Sequence, residues 1–342
     1  MRPVVFLALF LTLFVLAGTL ATRAEPDDTS GLILNGGFEG GFYPVGGGQV
    51  ADGWTRVNLS GNPLWQSTQV VAGGGWVEKI EGNNSQILSV ENLSVGQAFN
   101  TVLYTRVGGL TPGNPYSFSG WVLKMWGGSA APTPPSNPTA LGSWIGYDLT
   151  GNADPTAPTV VWENPHYQTE RPRWVNRRVA FTATGNTVML FVRVQLSDQR
   201  AETQVIVDAM ELFDAPRATL HTPSGYIGTP RLDFSGSVPS SLQVRGNYQL
   251  YYKIEKRDPA TGGWGTLIDE IQSDDVDLPL TWGESVTLRI APYSKQPAGD
   301  NPPLNWPPST HVGVPTAPIT LTYGEAPTSK MLLTILMRQV AE

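Results

Sequence analysis

Leu32-Ile33-Leu34-Asn35-Gly36-Gly37-Phe38-Glu39-Gly40-Gly41-Phe42 is where the chain first commits to a fold. Three apolar residues run into an Asn-Gly-Gly break, followed by an aromatic, a carboxylate and a second glycine pair. Glycine pairs at this spacing call for a turn or bulge with positive φ, a conformation that costs a residue without Cβ little. A glutamate just after such a bend can fold back onto the backbone as a ligand.

From this corner to about Ala215 the chain reads as short strands between turn signals. Gly46-Gly47-Gly48, Gly73-Gly74-Gly75, Gly61-Asn62-Pro63 and Gly82-Asn83-Asn84 mark turns. Strands are predicted over 94–103, 116–126, 143–149, 174–183, 187–196 and 204–213, with a Pro-rich loop over 127–141. No stretch of this region has helical period. In 187–196, Val188, Leu190, Val192 and Val194 share one face, while Met189, Phe191, Arg193 and Gln195 share the other. In 116–126, Phe118, Gly120 and Val122 lie opposite Ser119, Trp121 and Met125. Ala215-Pro216 marks a boundary. Strands over 231–236, 248–256, 286–292 and 319–323 then predict a smaller all-β unit, of immunoglobulin or fibronectin III type on spacing alone.

The expected fold is therefore all-β, a first sandwich over 31–215 and a second, Ig-like one over 216–325. Met1-Arg2, an apolar run from Val4 to Leu20 and Thr22-Arg23-Ala24 read as a signal peptide, residues 1–24, with an uncleaved anchor as the alternative. Both place the body of the protein outside the cytoplasm, secreted or on the cell surface. The tail, 326–342, carries an apolar run from Met331 to Met337 too short to span a bilayer; a docked strand or helix is the reading preferred for it. With 22 basic against 29 acidic residues and no basic patch, nucleic acid and anionic lipid are poor partners. The absence of cysteine removes disulfides, thiol nucleophiles and thiolate metal sites.

The order of Asn35-Gly36-Gly37-Phe38-Glu39, Gly53-Trp54, Tyr116-x-Phe118-Ser119-Gly120-Trp121-Val122, Trp174 to Phe181 and Val205-Ile206-Val207-Asp208-Ala209-Met210-Glu211-Leu212 resembles exported bacterial carbohydrate-binding modules of the galactose-binding-like type, families four, nine and twenty-two. The resemblance covers about half the chain. It implies a jelly-roll β-sandwich, a neutral polysaccharide or glycan as partner, and a structural calcium (Ca2+) held by Glu39 and Asp208. Saccharide binding needs flat aromatic faces and planar hydrogen-bonding groups. Trp121, Arg193, Gln195, Trp144, Trp162 and Phe191 supply both and are the candidate ligand residues, Trp121 and Arg193 first.

Catalytic patterns are thin. His166, His221 and His311 are dispersed, and neither a Gly-x-Ser-x-Gly elbow nor a P-loop occurs. The chain reads as non-catalytic. An adhesive or structural surface protein is the first alternative; a hydrolase using Glu163 and Glu170 as a carboxylate pair is the second.

Overall fold

The computed structural model describes residues 31–68, 80, 82–90, 97–127, 134–198, 203–221, 230–240, 248–295 and 310–323. The expected signal segment and tail, the 73–75 turn and part of the Pro-rich loop lie outside them. Every named element is a strand. The first unit contains β1 (Phe42–Val45), β2 (Gly48–Ala51), β3 (Thr55–Ser60), β4 (Leu64–Ser67), β5 (Gln86–Val90), β6 (Phe99–Gly108), β7 (Pro115–Met125), β8 (Leu141–Asp148), β9 (Val161–Trp162), β10 (His166–Tyr167), β11 (Trp174–Thr182), β12 (Thr187–Leu196) and β13 (Thr203–Asp214). One sheet has seven strands in the order β1-β2-β4-β5-β13-β7-β11; the other has six, β10-β8-β12-β6-β3 with β9 on β8. From β6 to β13 the longer strands alternate between the two sheets, the crossing pattern of a jelly roll.

Period-two patterning fills the space between the sheets. Phe118 and Val122 of β7 face Val188, Leu190, Val192 and Val194 of β12, joined by Phe38, Trp54, Trp65, Phe99 and Ile145 in one core. Each large apolar side chain so buried contributes about 1.5–3 kcal/mol. Of the strand predicted over 94–103, residues 94–96 lie outside the described residues; β6 starts at Phe99 and runs on to Gly108, because its alternation continues through Thr105 and Val107 to the Gly108-Gly109 break.

The opening stretch is a capped corner. Asn35 and Phe38 both take positive φ, 55° and 61°. The Asn35 side chain donates to the Asp52 carbonyl at 2.9 Å and accepts from the Gly40 amide at 2.6 Å, while its carbonyl receives the Trp54 indole at 3.0 Å. Phe38 is thereby pinned fully inside the core, 5.6 Å from the Trp54 ring.

This corner docks on a β-bulge. The register of β13 against β7 shifts between Asp208 and Glu211, with Ala209 at φ 48°. Val205 and Val207 face the core before the bulge; Met210 and Leu212 face it afterwards. Unbroken alternation would have sent Glu211 into the core, at a large desolvation cost. The Met210 amide donates to Gly36 at 2.9 Å, fastening the opening stretch to the bulge. Gly120 makes room for it, since a Cβ there would come within 2.2 Å of Met210 Sδ.

The second unit holds β14 (Arg217–Leu220), β15 (Arg231–Ser237), β16 (Gln249–Arg257), β17 (Trp264–Ile271), β18 (Asp275–Asp277), β19 (Ser285–Lys295), β20 (Thr310–Val312) and β21 (Ile319–Thr322). Sheets β14-β15-β18 and β17-β16-β19-β20, the latter with β21 on β19, enclose a separate core of Leu232, Phe234, Tyr252, Ile254, Leu288 and Ile290. The units pack closely. Glu211, turned outward by the bulge, lies 3.2 Å from Nε2 of the fully buried His311, whose ring meets Phe213 and Tyr248 edge-on at 5.5 and 5.4 Å.

Candidate functional site

The outward face of the six-stranded sheet gathers most of the candidate ligand residues. In the antiparallel register Arg193 stands beside Trp144, Gln195 beside Gly142 and Asn100, and Phe191 beside Gly146 and Tyr104. Directly opposed residues share a face, so all of these point away from the core. The Arg193 guanidinium lies over the Trp144 ring, 5.0 Å from its centroid. Its Nε donates to Asn100 Oδ1 at 2.9 Å and its Nη2 to Gln195 Oε1 at 3.3 Å. The guanidinium plane is thus fixed before any ligand arrives.

Two glycines make the aromatic surface possible. A Cβ on Gly142 would come within 2.8 Å of both Trp144 and Tyr167, and one on Gly146 within 2.7 Å of Trp162. Their bare backbone is the floor on which these rings lie. Tyr167 meets Trp144 edge-on at 5.9 Å, and Trp162 tilts against Phe191 at 5.7 Å. Trp162 sits on β9, paired with β8 opposite Gly146, after a loop tied to the end of β8: Asp148 accepts from the Thr150 amide and hydroxyl, both at 2.6 Å, and from the Thr159 hydroxyl. Trp144, Trp162, Arg193, Gln195, Asn100, Tyr104 and Tyr167 are all half-buried, the state of side chains that present a surface.

Two expectations need correction. Phe191 lies on this face but is completely buried, packed against Tyr104 and Trp162, so it supports the surface without being part of it. Trp121 points away from the core, as its alternation with Phe118 and Val122 requires, but it belongs to the other sheet and is only 4% exposed. It cannot share a ligand with Arg193 across the thickness of the sandwich. The outer side of the seven-stranded sheet is itself apolar around Trp121, with Ile87, Leu123, Met125 and Ile206 buried together beside Trp174. Asn100, Tyr104 and the two glycines were missed. The spacing Gly142-x-Trp144-x-Gly146 carried a signal, two gaps flanking a ring on one face.

Glu39 and Asp208 both bind the segment that leads into β5. Glu39 Oε1 accepts from the amides of Asn83 and Asn84 at 2.7 and 2.6 Å, and Oε2 from the Asn84 side chain at 3.2 Å. Asp208, fully buried, accepts from the Ile80 amide at 2.6 Å and its own neighbour Ala209 at 2.7 Å. Calcium is bound by oxygens, whereas these carboxylates meet N–H donors, and no cluster of three acidic or imidazole side chains occurs among the described residues. The placement fits an amide clasp better than a calcium site.

A polar cluster is buried at one end of the sandwich. Lys124 Nζ, reaching inward from β7, lies 3.0 Å from Ser143 Oγ and 2.8 Å from His166 Nδ1. Burial, reinforced by Arg177, drives the Lys124 ammonium down from 10.5 to about 7. Burial likewise raises Glu163 to about 7, despite Arg177 at 3.0 Å, and lowers His166 to about 4. An amine base beside a serine hydroxyl could activate a nucleophile, but Ser143 is completely buried, out of reach of a substrate. The suggested carboxylate pair is also engaged elsewhere. Glu163 pairs with Arg177, and the exposed Glu170 pairs with Arg173 at 2.6 Å.

No protein-family model matches the chain, and no curated protein does. Among solved structures, similarity extends to a family 61 carbohydrate-binding module in complex with β-1,4-galactotriose, at 14% identity and a TM-score of 0.36, over 54% of this chain and 98% of that one. The K1 cleaved adhesin domain of Lys-gingipain from Porphyromonas gingivalis shares 14% identity at a TM-score of 0.35, over 48% and 92%. A putative sugar-binding protein from Bacteroides thetaiotaomicron shares 12% identity at a TM-score of 0.31, over 54% and 99%. Scores this low say nothing of a ligand for this chain, and the chemistry of the face has to supply it.

Two outcomes follow from the buried groups. Asp208→Ala takes this acceptor from the Ile80 and Ala209 amides and should cost about 1–3 kcal/mol. The wild-type melting temperature should be the same with and without chelator, whereas a chelator-dependent fall would restore calcium. Between pH 7 and 10.5 the unfolded chain holds a proton on Lys124 that the folded chain does not, so this group makes stability rise with pH across that window. Urea titrations should therefore show the stability of wild type relative to Lys124→Met rising from pH 7 to 10. A constant gap would mean that Lys124 stays charged when folded.

Proposed function

We propose that the chain is a non-catalytic, exported carbohydrate-binding protein that takes a neutral saccharide on the outward face of the six-stranded sheet. One observation carries the reading: the Arg193 guanidinium is laid over Trp144 and held there by Asn100 and Gln195. Saccharide rings present C–H faces to aromatic planes and hydroxyl pairs to planar polar groups, and both kinds of partner converge here. Because neighbouring side chains already fix the Arg193 fork, little side-chain freedom is left to lose on binding. The second sandwich, of immunoglobulin or fibronectin III type on its strand spacing, serves as a docked spacer in this reading.

Binding to a glycan array, followed by affinity electrophoresis on the glycans retained, tests the assignment. Trp144→Ala should weaken binding about thirtyfold, the effect of losing an anchor worth about 2 kcal/mol, with little change in the melt. Trp121→Ala should do the reverse, costing about 3–5 kcal/mol of stability while the folded fraction binds as before. Unchanged binding in both Trp144→Ala and Arg193→Ala would remove the site from this face.

A further inference from the structure

A second concave site lies where the two sandwiches meet. β11 forms one wall and the outward side of β16, β19 and β20 the other, enclosing about 560 Å³. That volume is in the range of small-molecule sites. Tyr252, Ile254, Leu288 and Ile290 of β16 and β19 fill the second core, so their neighbours Lys253, Glu255, Arg289 and Tyr293 face the cleft.

This wall combines rings with charge. Arg289 lies over the Trp264 ring at 4.2 Å, and its Nε donates to Glu255 at 2.6 Å. Tyr293 stacks on Tyr251 at 5.6 Å, with the rings 18° from parallel, and the Lys295 ammonium sits 5.2 and 5.4 Å from the Tyr251 and Tyr293 centroids. The carboxylates of the cleft are already engaged. Glu255 holds Arg289 and Lys253, Asp269 accepts the Tyr293 hydroxyl at 2.8 Å, and Glu163 pairs with Arg177.

Arg178 differs. It projects from β11 on the side away from the first core, in register with Ser119, and its side chain is exposed in the cleft. Its guanidinium has no hydrogen-bond or ion-pair partner among the described residues. Desolvation lowers its pKa, while the Glu163 carboxylate, Tyr293 and the Asp269 carboxylate act in the opposite direction. A planar cationic fork without a hydrogen-bonded side-chain partner, facing a cleft whose one lining ring is Tyr293, matches a carboxylate in bidentate geometry.

We propose that the inter-sandwich cleft is a separate site for a carboxylate-bearing saccharide, with the acid group on Arg178 and the rest of the sugar along the polar wall of β16 and β19. This site stands apart from the neutral-saccharide face, which lies on the other sheet.

Calorimetry on the full chain with a galacturonate trisaccharide, and with the neutral galactose trisaccharide of the same linkage as control, tests it. The acidic trisaccharide should bind and weaken as salt is raised. Arg178→Gln should weaken it tenfold or more with an unchanged melt, and Arg178→Lys, which keeps the charge but not the fork, should fall between. Trp144→Ala should leave this binding intact. The proposal is overturned if the acidic trisaccharide fails to bind, binds Arg178→Gln as it does wild type, or is displaced one-for-one by the neutral control. It is equally overturned if Trp144→Ala abolishes acid binding, which would move the ligand to the sheet face.

Discussion

The bulge between Asp208 and Glu211 is the constraint on which the rest of this structure depends. One extra residue in β13, an interior strand of the seven-stranded sheet, reverses the phase of everything after it. Before the bulge, Val205 and Val207 fill the core; beyond it, Met210 and Leu212 do so, while Glu211 and Phe213 face outward. The same few residues hold the opening stretch through Gly36 and the segment before β5 through Asp208. Asn35, Phe38 and Ala209, all at positive φ, are local strain accepted for this junction.

The bulge also divides the surface. By turning Glu211 and Phe213 outward, it gives the second sandwich a buried carboxylate and a ring to dock on, and His311 meets both. Ser117, Ser119 and Ala180 lie on the same outer side, small enough for a neighbouring strand to come close. Much of the outer side of the seven-stranded sheet is thus taken up by the docked unit near Glu211 and by apolar packing around Trp121, with the Arg178 end of β11 left open to the cleft. The six-stranded sheet keeps its aromatic and polar face. Fold alone does not decide where a ligand goes; the proposed saccharide face follows this partition, since Trp144, Trp162, Arg193 and Gln195 are gathered half-buried on the six-stranded side.

Strand identity in the first sandwich was legible from alternation. The predicted strands over 187–196 and 116–126 coincide with β12 and β7 to within a residue at each end. The core and non-core faces of both were also correct, since side-chain direction in a strand is a local property. Sheet membership is not local. Trp121 and Arg193 both face away from the core, yet only the pairing of β7 with β13, and of β12 with β6 and β8, shows that they do so on opposite sides. Burial on an outer face was likewise invisible, because it depends on what packs there, as Phe191 beneath Trp162 illustrates. Asn100 was passed over because its role comes from register across β6 and β12. The cleft wall was written plainly in Tyr251-x-Lys253-x-Glu255 and Arg289-x-Ala291-x-Tyr293-x-Lys295, but a wall becomes a cleft only when a second unit stands opposite.

The most direct test of the central claim is a nuclear magnetic resonance titration of the full chain with a neutral oligosaccharide retained on a glycan array. Shift changes should concentrate on the amides of Gly142, Trp144, Arg193 and Gln195 and on the Trp144 indole, leaving the Trp121 indole unmoved. Changes centred on Trp121 and the seven-stranded sheet, with the β8 and β12 signals unaffected at saturation, would contradict the assignment of the six-stranded face as the binding surface.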